Sequence, residues 1–423
     1  MFNEYLLSTY DKNDDLLIYD TLRYNTVRIR KEDFHKFNNF RSQILLNGEY
    51  NGPIQNLDIF LSNNIIRHIN DDINCELQKK YNEVILSNKV LSLIILPTEQ
   101  CNFRCVYCYE NFHLGKMENL TVEKIVSLLE RLLPQYDQLN ISWFGGEPLI
   151  ALDIIQVISQ KVEKLCKKYK KPYFSQITTN GYLLNLSVMK ELLRMHVMLF
   201  QITIDGDRNT HNRQRFLANG YGTYDVIIKN LLEIKNNIKT QTIRIIIRVN
   251  VSRDTNVNEI YSLAEMFIDD PRFVFNVQEI FKTNKNENKI EINHSYYLET
   301  YKACSELYSD KLTADDTICY AAKSNTLMIR SNGSLGKCTV NFDDLKNSFG
   351  NIKNIDIDKF SLKSIDYCNS IIDIKRCIKC CIYPLCFGKQ CPAHQQQMCR
   401  TTIEKYRILL QTFSSRANTI QMF

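Results

Sequence analysis

Six apolar and β-branched runs divide the middle of the chain: VLSLIILP (90–97), LNISWF (139–144), YFSQIT (173–178), VMLFQITI (197–204), TIRIIIRVN (242–250) and RFVFNVQEI (272–280). Between them the apolar positions change to helical spacing. In LTVEKIVSLLERLL, Ile125, Leu128, Leu129 and Leu132 fall on one face, and Ile155, Ile158, Val162, Leu165 and Tyr169 do the same in the next segment. Strands of near-continuous apolar content separated by helices predict a parallel sheet covered by helices. Six such units suit a partial (β/α)6 TIM-like barrel over residues 89–290, so the expected fold class is α/β.

The flanks have a different rhythm. In residues 1–88, NEYLLSTYD and NDDLLIYDTL, joined by a polar turn, and then NTVRIR predict a short antiparallel sheet. KEDFHKFNNF and the stretch from Leu57 to Val84 have looser helical patterns, and NGEYNGPIQN reads as a loop. A small α+β module is expected there. Residues 291–423 lose the alternation and become cysteine-rich, and no repeat of fixed period runs through the chain.

Composition narrows the class. A length of 423 residues exceeds one ordinary hydrophobic core. The 13 Gly and 8 Pro argue against long flexible segments, and the net charge of +6 is small. KKYKK (167–171) closes a helical pattern, where cations suit the dipole, and reads as a solvated helix end rather than a nucleic-acid surface. The start, MFNEYLLSTYDKNDD, lacks the basic-then-apolar order of a signal peptide, and no apolar run reaches a membrane span. A cytoplasmic protein with neither membrane nor nucleic acid as partner is expected. Stable disulfides are rare in that compartment, so fifteen cysteines, ten beyond residue 300 and six from Cys377 to Cys399, read as metal sites. Cys75 and Cys166 lie on helical patterns and are expected to be buried free thiols.

The first cluster, CNFRCVYC (101–108), places Cys101, Cys105 and Cys108 directly after a strand. A structural zinc site wants four ligands, whereas an iron-sulfur cubane with three protein thiolates keeps one iron free. Spacing alone leaves iron-sulfur, zinc and reduced core thiols open. The carboxyl ends of barrel strands are where active sites gather.

Residues 90–280 resemble the radical S-adenosylmethionine enzymes. The resemblance rests on CNFRCVYC with its aromatic Tyr107, on WFGGEP (143–148), on TTNG (178–181) and on TIDG (203–206), in that order at successive strand ends. It implies that Cys101, Cys105 and Cys108 hold a 4Fe-4S cluster whose unique iron is chelated by S-adenosylmethionine. It also implies that Gly145, Gly146 and Glu147 serve the methionine amino group, and that Thr179 and Asn180 offer donors to the cofactor. The Tyr107 backbone would touch adenine, and Asn250 and Ser252 the ribose. Asp205, Arg213 and Arg215, just beyond the fourth strand, are candidates for lining a substrate channel, against a turn-capping aspartate and surface arginines.

The carboxyl-terminal field reads Cys319, thirteen residues, Gly333, four residues, Cys338; then Cys377, Cys380, Cys386 and Cys391; then Cys399. It resembles the SPASM extension that carries auxiliary clusters. By that analogy Cys377, Cys380, Cys386 and Cys399 ligate one 4Fe-4S cluster, and Cys319, Cys338 and Cys391 contribute to another, giving one or two auxiliary clusters in all. Four residues separate Cys386 from Cys391 where the usual pattern has three, and Cys381 makes the register ambiguous. Asn325 stands where an eighth cysteine would fall, so Cys304, Cys368 and Cys381 are reserve ligands, and a zinc ribbon is the competing reading.

The resemblance implies peptide maturation: hydrogen abstraction from a ribosomally made precursor whose leader binds the amino-terminal module, with a thioether as the favoured product. A stabilising cap on the barrel is the competing reading of the module. A flavodoxin- or ferredoxin-type donor would supply electrons. Anaerobic sulfatase maturation, peptide epimerisation using a thiol such as Cys304 or Cys319, and a non-enzymatic redox protein are the alternatives.

Overall fold

The computed structural model describes residues 1–47, 50–68, 70–280, 293–307, 317–342, 344–362, 374–391 and 395–422. The chain groups into two compact units: Met1–Leu86, Asp310–Lys323 and Cys368–Phe423 form one, Ser87–Ser309 and Ser324–Tyr367 the other.

In the first unit, β1 (Leu6–Tyr10), β2 (Leu16–Asp20) and β3 (Asn25–Ile29) make the expected antiparallel meander. Helices α1 (Phe34–Asn47), α2 (Ile54–Ser62) and α3 (Ile73–Val84) follow. Val27 and Ile29 of the sheet pack with Phe37, Phe40 and Phe60 of the first two helices. Cys75 departs from expectation and is exposed. Ile73 and Leu77 turn the buried face of α3 inward, and Cys75 lies between them on the solvent side, its N–H donating to the Asp72 cap.

The second unit holds the six predicted strands as β4 (Val90–Ile95), β5 (Gln138–Trp143), β6 (Tyr173–Thr179), β7 (Val197–Thr203), β8 (Arg244–Val251) and β9 (Phe273–Glu279). All pair parallel in chain order. Helices α4 (Asn119–Leu132), α5 (Leu152–Tyr169), α6 (Leu186–Arg194), α7 (Arg208–Gln214), α8 (Tyr224–Asn237) and α9 (Val257–Glu265) connect them, and α10 (His294–Ala303) follows β9. Crossovers between sequential parallel strands are right-handed as a rule, which places their helices on one face of the sheet.

The strands are less uniformly apolar than their composition suggested. Leu139, Ile141, Ile177, Ile245, Ile247, Phe273 and Phe275 belong to the core shared with the helices. Alternate positions on the opposite face carry Ser142, Gln176, Gln201, Arg248, Asn276 and Gln278. Cross-strand register places Ser142 beside Gln176, and Arg248 beside Asn276. That face therefore carries polar groups among its apolar ones.

β10 (Thr326–Ile329) pairs parallel with β4, and β11 (Leu335–Gly336) pairs antiparallel with β10, extending the barrel sheet. The remaining chain, with α11 (Ile374–Ile378), α12 (Tyr383–Cys386), α13 (Gln395–Thr412) and β12 (Asn418–Ile420), belongs to the first unit. There β12 pairs parallel with β3, and Tyr406 of α13 stacks on Tyr19. The grouping thus differs from a division at residue 290. Buried TLMI of β10 completes one sheet edge, while Ile420 and Met422 complete the core beneath the other. Among the described residues no helix is long and apolar enough to cross a membrane.

Candidate active site

The loop leaving β4 carries the three cysteines and is fastened on two sides. The Glu147 N–H donates to the Gln100 carbonyl at 2.9 Å. Gly145 has φ +116°, and a Cβ there would stand 2.1 Å from the Thr98 carbonyl oxygen; one on Gly146 would stand 2.5 Å from that of Gln100. The glycine pair is thus required by loop-on-loop packing as well as by any approach of a cofactor.

On the other side, residues 102–106 run antiparallel to 214–218. Ala218 N–H donates to Asn102 O at 2.8 Å, Arg104 N–H to Phe216 O at 2.9 Å and Val106 N–H to Gln214 O at 3.0 Å. Upstream, Arg330 grips the buried Glu99 carboxylate with two bonds of 2.8 and 2.7 Å. Neither pairing is visible in local sequence.

The loop brings the three predicted thiols together closely enough that the Cys101 thiol feels the charge of Cys105 and Cys108. Burial raises all three pKa values, that of Cys108 to about 12. Alone they stay protonated; a cationic iron centre reverses that preference. Among the described residues no three Cys, His, Asp or Glu side chains close on a point as a single metal ion requires. A cubane spreads its thiolates over separate irons, so the donor set fits a cluster better than zinc.

Glu147 is fully buried, and its carboxylate accepts from Leu149 N–H at 3.0 Å, the Thr179 hydroxyl at 2.7 Å and Asn180 N–H at 2.7 Å. It ties the end of β5 to the end of β6. Burial raises its pKa, and these donors oppose the rise. Asn180 Nδ2 also donates to Asn102 Oδ1 at 2.8 Å, joining β6 to the cysteine loop.

Tyr107 anchors a second knot. Its hydroxyl donates to Asp205 and accepts from Arg215 Nη1 at 2.6 Å and Asn250 Nδ2 at 3.0 Å. Asn250 N–H donates to Asp205 Oδ1 at 2.8 Å, and Arg248 Nε to Asn250 Oδ1 at 2.8 Å. Buried His211 accepts from Asp205 N–H through Nδ1 at 3.2 Å. The Thr223 hydroxyl donates to Arg215 O, which leaves its oxygen to accept from His211 Nε2. This fixes the tautomer, and burial holds the histidine pKa well below its usual value. Asp205 and Arg215 are thus inside the protein, whereas Arg213 is exposed. Ser252 is half-buried and bonds Gln214 and Thr255.

In the first unit, the Cys386 thiol, pushed up to about 12 by burial, feels Cys380, Cys399 and Cys377, and Cys399 feels Cys377 and Cys380. Those four are therefore neighbours. Cys381 shares a hydrogen bond with Cys380 that lowers the Cys380 pKa. Cys319, whose N–H donates to Lys389 O at 2.9 Å, and Cys391 belong to the same unit. Cys338 belongs to the barrel unit, its thiol accepting from Val340 N–H at 3.4 Å. Cys304 is buried at the end of α10, Cys166 is buried in α5, and Cys368 lies outside the described residues.

One prediction arises directly from the glycine pair. Gly146→Ala forces backbone against backbone, a misfit of about 1–3 kcal/mol or more, and is expected to loosen the cysteine loop. Iron retained after anoxic reconstitution checks this. Gly115→Ala, where a Cβ meets nothing within 4 Å, should retain iron like the unaltered protein.

The profile of the Radical SAM superfamily matches residues 95–267. The cysteine-type anaerobic sulfatase-maturating enzyme of Clostridium novyi (strain NT) is 26% identical over 181 residues, 41% of this chain and 47% of that protein. The GTP 3',8-cyclase of Clostridium perfringens (strain 13 / Type A) is 27% identical over 236 residues, 52% of this chain and 65% of that protein. The chain therefore spans about half to two thirds of these relatives. Among solved structures, Streptococcus suis SuiB bound to precursor peptide SuiA is similar with TM-score 0.52 and 16% identity, over 94% of this chain and 96% of that one. Native anSMEcpe with bound AdoMet and Kp18Cys peptide gives TM-score 0.60 and 19% identity, over 77% and 98%. At these identities the likeness is one of fold.

Proposed function

We propose, from the match of residues 95–267 to the Radical SAM superfamily, that this chain is a radical SAM peptide maturase acting on a ribosomally made precursor, with a thioether as its product. The observation that carries the reading is the presence in one chain of a sheet-plus-helix module, a barrel with three gathered thiols and a second field of neighbouring cysteines. The likeness to SuiB extends over nearly all of that arrangement. On β1 an extended leader has an edge to pair with, since among the described residues β1 has a strand partner on one side.

Radical SAM proteins use a 4Fe-4S cluster and S-adenosylmethionine, which together supply a 5'-deoxyadenosyl radical. In this reading Cys101, Cys105 and Cys108 hold that cluster. Gly145 and Gly146 keep the backbone open toward the methionine amino group, and Glu147, Thr179 and Asn180 hold the neighbouring strand ends in place. The Tyr107 backbone takes adenine, and Asn250 and Ser252 take ribose. Cys377, Cys380, Cys386 and Cys399 hold one auxiliary cluster, and Cys319 and Cys391 contribute to another. The sheet face opposite the core, with Gln176, Arg248 and Asn276, offers hydrogen bonds to peptide amides.

Sulfatase-type maturation is the second reading, favoured by the higher TM-score of anSMEcpe over a smaller share of the chain. The test is anoxic incubation with S-adenosylmethionine, a reductant and a small cysteine-containing precursor peptide. A thioether appears as loss of two hydrogens together with a thiol resistant to alkylation. A hydrazide-reactive aldehyde would favour the second reading, an unchanged mass with inverted stereochemistry an epimerase. Absence of 5'-deoxyadenosine would leave only electron transfer.

A further inference from the structure

Arg215 is a buried cation whose charge the buried acids Asp205 and Glu147 both feel, though neither bonds it directly. It is 7% exposed, and its segment is laddered to the cysteine loop. Nη1 donates to the Tyr107 hydroxyl at 2.6 Å. The guanidinium lies 5.7 Å from the Phe103 ring centre and 5.9 Å from that of Tyr107, while Nε has no hydrogen-bond partner. Asp205, the nearby acid, gives its oxygens to the Tyr107 hydroxyl and the Asn250 N–H. Among the described residues Arg215 makes no ion pair.

A buried cation gains from an anion seated directly against it. The ladder pairs Arg104 with Phe216 and Val106 with Gln214, which sets Arg215 directly across from Cys105, one of the three gathered thiols. An anion assembled on those thiols satisfies what the protein leaves open.

We propose that Arg215 is the counter-charge of the iron-sulfur cluster held by Cys101, Cys105 and Cys108, and that it sets the reduction potential of that cluster. This inference rests on the radical SAM reading of the three thiols. When one electron passes from the donor to the cluster, no bond is made or broken and the cluster gains one negative charge. A fixed cation beside it, inside the low-dielectric interior, stabilises the reduced state. Tyr107 and the ladder hold the guanidinium at its post. Arg215 is a positioning and electrostatic residue, with no contact to substrate required.

The test is a redox titration of the anoxically reconstituted full chain, followed by paramagnetic resonance on the signal that S-adenosylmethionine perturbs. Arg215→Gln is expected to lower the reduced-to-oxidised ratio at a fixed poise roughly tenfold, about 59 mV for a one-electron couple. Arg215→Lys, which restores the charge, should recover most of that loss. Asp205→Asn removes the opposing charge and should shift the potential the other way. A purely structural role would not produce shifts of opposite sign. Equal potentials in Arg215→Gln and the unaltered protein, at equal iron content, overturn the proposal. Should Arg215→Gln fail to hold iron, Asp205→Asn decides: a positive shift supports the proposal and none overturns it. If the unaltered protein has no signal that responds to S-adenosylmethionine, the cluster reading itself fails instead.

Discussion

Alanine in place of any one of Cys101, Cys105 or Cys108 is expected to reduce 5'-deoxyadenosine formation to the level of a protein-free control. The loop has no slack with which to recruit another ligand. Glu147 N–H holds it at Gln100, and three main-chain bonds hold residues 102–106 against 214–218. Each thiol is buried enough to have a raised pKa, so no solvent-facing cysteine substitutes for it. On the proposed reading, loss of one thiolate would leave an iron without a protein ligand and the cofactor without its source of an electron. Controls come from the same chain. Cys75→Ala is on an exposed helix face and should change nothing, and Cys166→Ala removes a buried core atom at a cost of about 1 kcal/mol while sparing turnover. Anoxic chromatography of the cleavage products, with iron measured on the same samples, checks both arms. A Cys105→Ala protein that turns over like the unaltered one would sink the assignment.

Glu147→Ala is expected to destabilise the barrel unit by about 3–5 kcal/mol, the range for removing one member of a buried, hydrogen-bonded charged group. Three donors, from Leu149 N–H, the Thr179 hydroxyl and Asn180 N–H, would lose their acceptor at a site closed to water. Orphaned buried donors are costly because folding has already stripped their hydration. Glu147→Gln preserves volume and one acceptor oxygen but turns an amide donor toward other donors, so its loss should be intermediate. Urea unfolding of the apo chain measures both, and binding of S-adenosylmethionine should weaken in the same order. An unchanged midpoint for Glu147→Ala would show that the carboxylate is not the clamp between β5 and β6.

Much of the site was legible because its motifs are local. CNFRCVYC, GGEP, TTNG and TIDG each stand at the end of an apolar run, and a strand end is where a barrel presents its functional groups. The helical faces were legible for a similar reason: Ile125, Leu128, Leu129 and Leu132 are all buried as their spacing requires. Cys75 shows the limit of that reasoning. A thiol at a helical position has a face only once the neighbouring Ile73 and Leu77 have chosen theirs.

Residue type and spacing alone determined the six βα units, the amino-terminal meander and the dense run of three thiols after β4, while the grouping of Cys377, Cys380, Cys386 and Cys399 was what the resemblance implied. Those features depend on short-range periodicity or on dense clustering, which a linear string records. Tertiary structure decided the rest: the ladder that sets Arg215 against the cysteine loop, the Glu99–Arg330 pair, the reason for two glycines before Glu147 and the return of residues 418–422 to the first sheet. Arg215 and Tyr107 are 108 positions apart, and Glu99 and Arg330 are 231 apart. Partners at such separations are chosen by how sheets curl and which buried groups need company, and these are properties of the folded chain in three dimensions.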